Sequence, residues 1–168
     1  QRGGLRHVHG PVADLLKVPD AYTVAIGTAL GGAMQNIVVD AEEDGKAAIG
    51  YLKRRDGGRC TFLPLSSIRP ADFRDQGVER EPGFIGMGDR LVRYDPRYAK
   101  VFSNLLGRVV VAEDLDAAIA IARKYHHRFR IVTLDGQVLD PGGSMTGGSA
   151  SPSAGILRRA HRLPPLRP

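Results

Sequence analysis

The sequence predicts an α/β fold of two related lobes, each a helix-strand-helix-strand unit, and three observations carry that reading. Apolar residues at helical spacings of three and four interleave with short valine-rich runs, so helices and strands alternate. The two halves echo each other: Tyr22 precedes Leu30-Gly31 by eight residues, as Tyr98 precedes Leu106-Gly107. After each comes a Val-rich run, then an Ala-Ala-Ile helix, and an apolar residue thirteen positions beyond the isoleucine: Phe62 after Ile49, Val132 after Ile119. Between the halves, residues 66–90 lose periodicity and gain prolines, glycines and charges, which marks a connector.

In chain order, QRGGLRHVHG is glycine-rich and irregular, and PVADLLKV reads as a short apolar turn or helix. Pro19 suits a helix start, with Asp20 at the positive end of the dipole. Tyr22, Ile26, Ala29, Leu30 and Ala33 then draw one apolar helical face, which Gly31 and Gly32 weaken near its end. NIVVD is a buried strand; EEDGKAAIGYLKRR is a helix with Ala48, Tyr51 and Leu52 on one side; GRCTFLPL is a strand ended by Pro64. In the second half, PRYAKVFSNLLG reads as helix, RVVVAE as strand and DLDAAIAIARKY as helix. RFRIVTLDGQVLD reads as a hairpin turning at Asp135-Gly136, because Asp-Gly accepts the positive φ of a tight turn.

Composition sets bounds on function. With 168 residues, 42% hydrophobic and 25% charged, the chain is globular, and no apolar run is long enough to cross a bilayer. It begins with Gln1, so it is expected to be part of a longer protein. Cys60 is the sole cysteine, which fits a reducing compartment and a small side chain in a buried strand. All 18 acidic residues lie between Gly10 and Ala150, with 18 of the 24 Lys and Arg. The surplus of +6 therefore sits at the two ends, on Arg2, Arg6, Arg158, Arg159, Arg162 and Arg167. A partner attracted by charge is expected there.

The glycine-rich PGGSMTGGSA first suggests a phosphate loop, but it has no lysine to reach the outer phosphates. It also lacks the strand, G-x-G-x-x-G and helix order of a dinucleotide site. GFIGMGD contains G-x-G without a convincing strand before it. His7 and His9 form H-x-H, and His126-His127 a pair, but no cysteine or carboxylate falls at matching ligand spacing, so these read as solvated histidines. Ser144 and Ser149 lack the context of a nucleophile elbow. No enzyme emerges. The glycines remain open to two uses, a tight bend leading out of the domain or a close approach of another backbone.

VHGPVADLLKVPDAY, ALGGAMQNIVV and GRCTFLPL, followed by LLGRVVVAEDLDAAIAIA and RIVTLDGQVLDPGGSMTGGS, resemble the hinge domain of bacterial SMC (structural maintenance of chromosomes) proteins, in order from about Val8 to Ser149. The resemblance implies an SMC-hinge fold of two lobes, dimerising into a ring through two contact surfaces with strands paired across subunits. It places Gly142, Gly143, Gly147 and Gly148, with Ser144, Met145 and Thr146 among them, at or near those contacts. It implies a flexible end at 1–9 on the coiled-coil side, a hinge at 10–150 and a basic, proline-containing tail at 151–168. Within the hinge, lobe one is about 10–65, the connector 66–90 and lobe two about 91–150.

The same resemblance implies a part in chromosome condensation and segregation, in the cytoplasm at the nucleoid, with no membrane. ATP, kleisin and accessory subunits would engage only head domains outside this chain, leaving no cofactor and no enzyme activity here. It implies a homodimer and DNA binding, often of single strands, near the coiled-coil junction; Arg158, Arg159, Arg162, Arg54, Arg55 and Arg59 are the candidates. One departure stands out: some relatives carry lysines after the glycine motif, where this chain has Ala150-Ser151-Pro152-Ser153. RLPPLRP, with three prolines, cannot continue a coil helix. The alternative reading is a nucleic-acid-binding module without stable self-association.

Overall fold

Two sheets and four helices share one interior in the computed structural model of the chain, which describes residues 7–149 and Leu157. Lobe one runs β1 (Val8–Pro11), α1 (Thr23–Leu30), β2 (Ile37–Val39), α2 (Glu42–Arg54) and β3 (Phe62–Pro64). Lobe two runs β4 (Phe84–Met87), α3 (Ala99–Leu106), β5 (Val109–Ala112), α4 (Leu115–Lys124) and β6 (Arg130–Thr133), then adds β7 (Val138–Leu139) and β8 (Met145–Thr146). The sheet orders are β1-β2-β3 and β4-β5-β6-β7-β8.

The repeat goes deeper than the sequence echo. In each lobe the first strand is antiparallel to the second, and the second is parallel to the third. Each first strand is bulged before a glycine: the register slips between Val8 and Gly10, and again between Phe84 and Gly86. A bulge places two residues opposite one and breaks the period-two pattern. That is why neither VHGP nor FIGM was legible as a strand. The irregular end expected at 1–9 thus gives way to β1 from Val8, and the connector expected at 66–90 contains β4 and two short 3₁₀ turns, Val78–Arg80 and Gly88–Arg90. The sheet register also aligns Phe62 with Ile131, one residue short of the Val132 that spacing suggests.

Local chemistry fixes the helix ends. Asp114 caps α4 by accepting the Ala117 N–H at 2.8 Å, and Asp44 turns back to accept the Ala41 N–H at 2.9 Å. Acids crowd the first turn of α2 and Lys53 and Arg54 its last, each complementing the dipole. α1 ends where Gly31 takes φ +52°, a conformation that favours glycine. The expected helices from Pro19 and from Pro96 both begin as 3₁₀ turns, Asp20–Tyr22 and Pro96–Tyr98, before α1 and α3 proper.

The main core joins the lobes. Ile26 and Leu30 of α1 meet Val101, Phe102 and Leu106 of α3, with Val38, Val111 and Val132 from the sheets, and Leu157 is buried in the same cluster. Each fully buried side chain of this kind contributes about 1.5–3 kcal/mol. Arg130 of β6 reaches across to donate to the Ala29 carbonyl at 2.8 Å and pairs with Asp140 at 3.1 Å. The segment after β3 is tied to lobe two: the Ala71 N–H donates to Ser103, the Asn104 amide to the Arg69 carbonyl, and Arg108 to the Asp72 carbonyl.

Candidate dimer interface

The glycine motif builds an exposed edge. The β7–β8 hairpin closes over Asp140–Ser144, where the Asp140 N–H donates to the Ser144 carbonyl at 2.9 Å. Gly142 and Gly143 turn the chain at φ +91° and +107°, and Gly148 leaves β8 at φ +127°; a side chain would be strained at all three. Their N–H groups are committed inside the chain, to the carbonyls of His127 and Asp140 and to Gln137 Oε1. They do not converge on a common point as a phosphate cradle requires. Beside Gly147 sits Gln137 Oε1, which holds the Gly148 N–H at 2.9 Å.

Met145 and Thr146 pair with β7 on one side and leave β8 as the outer strand of the five-stranded sheet. Residues 141–149 are all exposed, and Met145 keeps 55% of its surface. An outer strand with a large apolar side chain is a template for pairing.

Lobe one offers a complementary gap. In lobe two, β6 is flanked by β5 and β7; its counterpart β3 pairs with β2 alone among the described residues, so the three-stranded sheet stops one strand short there. Beside β3, between the sheet and α2, lies a mainly apolar groove of about 560 Å³ lined by Val8, Ile37, Ala48, Tyr51, Leu52 and Phe62, with Asp44 and Arg54 also on its wall. Ile49 and Tyr51 are 47% and 51% exposed. Tyr51 therefore does not join the buried face expected of α2, whose one fully buried residue is Gly45. Cys60 is exposed, ahead of the strand expected to bury it, because β3 starts at Phe62. The available signal was on α2 itself, whose apolar side chains spread around two faces instead of forming one stripe.

The charged candidates divide. Arg54 ends α2, Arg55 lies over the Tyr51 ring at 4.6 Å, and Arg59 precedes β3; all three are exposed, and none pairs with a carboxylate among the described residues. Arg158, Arg159 and Arg162 lie outside the described residues.

The H-x-H reading changes. His7 Nδ1 lies 2.9 Å from one Asp40 oxygen, and His9 Nε2 lies 2.6 Å from the other. His9 Nδ1 meets the Tyr98 hydroxyl at 2.9 Å, across the lobes. The hydrogen bonds of His9 and then His7 hold the Asp40 carboxyl below its ordinary range. His9 is thus packed and paired, not solvated; its carboxylate is remote in sequence, and only the β1–β2 pairing brings it near. His126 and His127 follow α4 at φ +61° and +54°, and the His127 N–H donates to the Ala122 carbonyl at 2.8 Å.

Duplicated α/β lobes, a shared core and two sheet edges left open among the described residues are the features of the arrangement. Comparison with known proteins gives the family. Residues 5–122 match the family described as SMC proteins Flexible Hinge Domain, and the chain belongs to it. It is 45% identical over 165 residues to the chromosome partition protein Smc of Bacillus subtilis, and 41% identical over 160 residues to that of Desulfitobacterium hafniense. These alignments cover 96% and 94% of this chain but only 14% and 13% of the relatives. Among solved structures, the asymmetric dimer of the Geobacillus stearothermophilus SMC hinge domain matches with a TM-score of 0.84 and 45% identity, covering 94% of this chain and 66% of that one. The Pyrococcus furiosus SMC hinge domain matches with a TM-score of 0.73 and 33% identity, covering 87% of this chain and 75% of that one. The mixed α/β hinge fold expected from the sequence is the one observed.

Proposed function

We propose that this hinge joins two copies of a chromosome-partitioning SMC protein, with β8 of one copy pairing along β3 of the other and Met145 entering the groove beside it. The observation that carries the reading is the mismatch of edges: one sheet ends a strand short at β3, and the other ends on exposed β8. Two such contacts related by a twofold axis close a ring, because each copy supplies one edge of each kind. The dimer of the Geobacillus relative supports self-association. Gly142, Gly143 and Gly148 shape the hairpin, and Gly147 lets Gln137 clamp it, so the motif presents β8.

Hydrogen exchange tests the pairing. The amides of Phe62 and Met145, which by strand alternation point away from β2 and β7 toward the open edges, are expected to exchange slowly at concentrations where the dimer forms and quickly on dilution. Fast exchange at both in a sample shown to be dimeric would contradict it.

A second activity, DNA binding, rests on the unpaired Arg54, Arg55 and Arg59 at one end of lobe one. In this reading ATP hydrolysis and kleisin contacts belong to parts of the whole protein beyond this chain, which works in the cytoplasm at the nucleoid and holds no nucleotide of its own. A nucleic-acid module that never self-associates remains the competing reading, and molecular size separates the two.

A further inference from the structure

We propose a divalent transition-metal site, of the kind that takes Zn²⁺, formed by His7, Asp40 and Asp44 where β1, the end of β2 and the first turn of α2 meet. One ligating atom from each of the three lies within 4.8 Å of the other two. Zinc bonds of about 2.0–2.2 Å to nitrogen and oxygen bring ligand atoms to about 3.3 Å from one another, so a shift on the order of 1 Å closes the set. His7, with 52% of its side chain exposed, has room to make it.

The carboxylates are held in place. Asp44 is fixed by the Ala41 N–H on one oxygen, and no hydrogen bond engages its other oxygen among the described residues. Asp40 is oriented by His9, and His9 by Tyr98. A His9 carrying its proton on Nε2 donates to Asp40 and accepts from the Tyr98 hydroxyl, which satisfies the whole relay. Support of this kind around a ligand raises metal affinity by about 10–100-fold. His9 and Tyr98 are therefore positioning residues, and the fourth coordination position is open to water.

The donor set selects the metal class. One imidazole with two carboxylates suits zinc and its neighbours, whereas Mg²⁺ and Ca²⁺ favour oxygen-only shells. Two adjacent anionic groups without a paired Lys or Arg among the described residues leave charge for a dication to balance. A bound ion would staple the first strand to α2, and through His9 and Tyr98 to lobe two.

The test is calorimetric titration of the chain with ZnCl₂ alone, with MgCl₂ in parallel. One Zn²⁺ per chain is expected, together with a rise in melting temperature and no saturable Mg²⁺ heat. His7→Ala and Asp44→Asn, each checked for folding by circular dichroism, are each expected to weaken Zn²⁺ binding by at least about tenfold. Cys60→Ser and the His126→Ala/His127→Ala double variant are expected to bind as the parent does. Absence of saturable Zn²⁺ binding, unchanged affinity in both site variants, or loss confined to the Cys60 or His126/His127 variants would overturn the proposal.

Discussion

Glu81 shows how single residues secure the connector. Its carboxylate lies 2.8 Å from Lys124 Nζ and accepts the Tyr125 hydroxyl at 3.1 Å, which ties the approach to β4 to the end of α4. The hydrogen bond from Lys124 leads in holding its pKa below the ordinary 4.5, so the folded state keeps the charge to lower pH than the unfolded chain does. The stabilisation is therefore complete above about 4.5 and is lost as pH falls through the depressed folded value. Glu81→Gln is expected to melt below the parent at pH 7, and the gap should narrow steadily in scans carried below pH 4.5. A gap independent of pH would mean that packing, not charge, is what the substitution removes. At Gly147 the Gln137 amide, which holds the Gly148 N–H, fills the space beside the bare Cα.

At the scale of elements, legibility followed regularity. The helix α4 and the strands β2, β5 and β6 stood out because their apolar spacing is regular and Asp114 caps the helix, and α2 because acids open it and Lys53 and Arg54 close it. β1 and β4 were hidden by bulges at Gly10 and Gly86, and β8 by its two-residue length inside a glycine run. The groove beside β3 was not legible either, since it needs the pairing of Val8, Ile37 and Phe62 across three strands. The arginines at and after the end of α2 were legible as charge, and the structure leaves all three exposed. Arg54, Arg55 and Arg59 changed together to Ala are expected to weaken single-stranded DNA binding and to flatten its salt dependence by about 0.7 in log-log slope per lost phosphate contact. A fluorescence titration at several salt concentrations reads both, and unchanged slopes would move the DNA contact elsewhere.

At the scale of the molecule, the lobes behave as one body because α1 and α3 share a core and Arg130 bridges β6 to α1. Gly136 sharpens that fit: a Cβ there would lie 3.0 Å from Val24, so the β6–β7 turn sits directly on α1. A rigid pair of lobes fixes the separation between the open edge at β3 and the exposed edge at β8. In the dimer proposed above, that fixed separation would let two copies close on each other instead of forming an open chain. Light scattering across a concentration series, on the parent and on Met145→Glu, tests this most directly. Met145 is exposed on the outer strand and lies outside both hydrophobic core clusters of the described residues, so the substitution should leave the fold intact while placing a charge in the proposed apolar contact. The parent is expected at twice the 18.1 kDa chain mass and the variant at that mass, with matching circular dichroism. A parent that stays at the mass of one chain, or a variant that remains fully dimeric, would contradict the account.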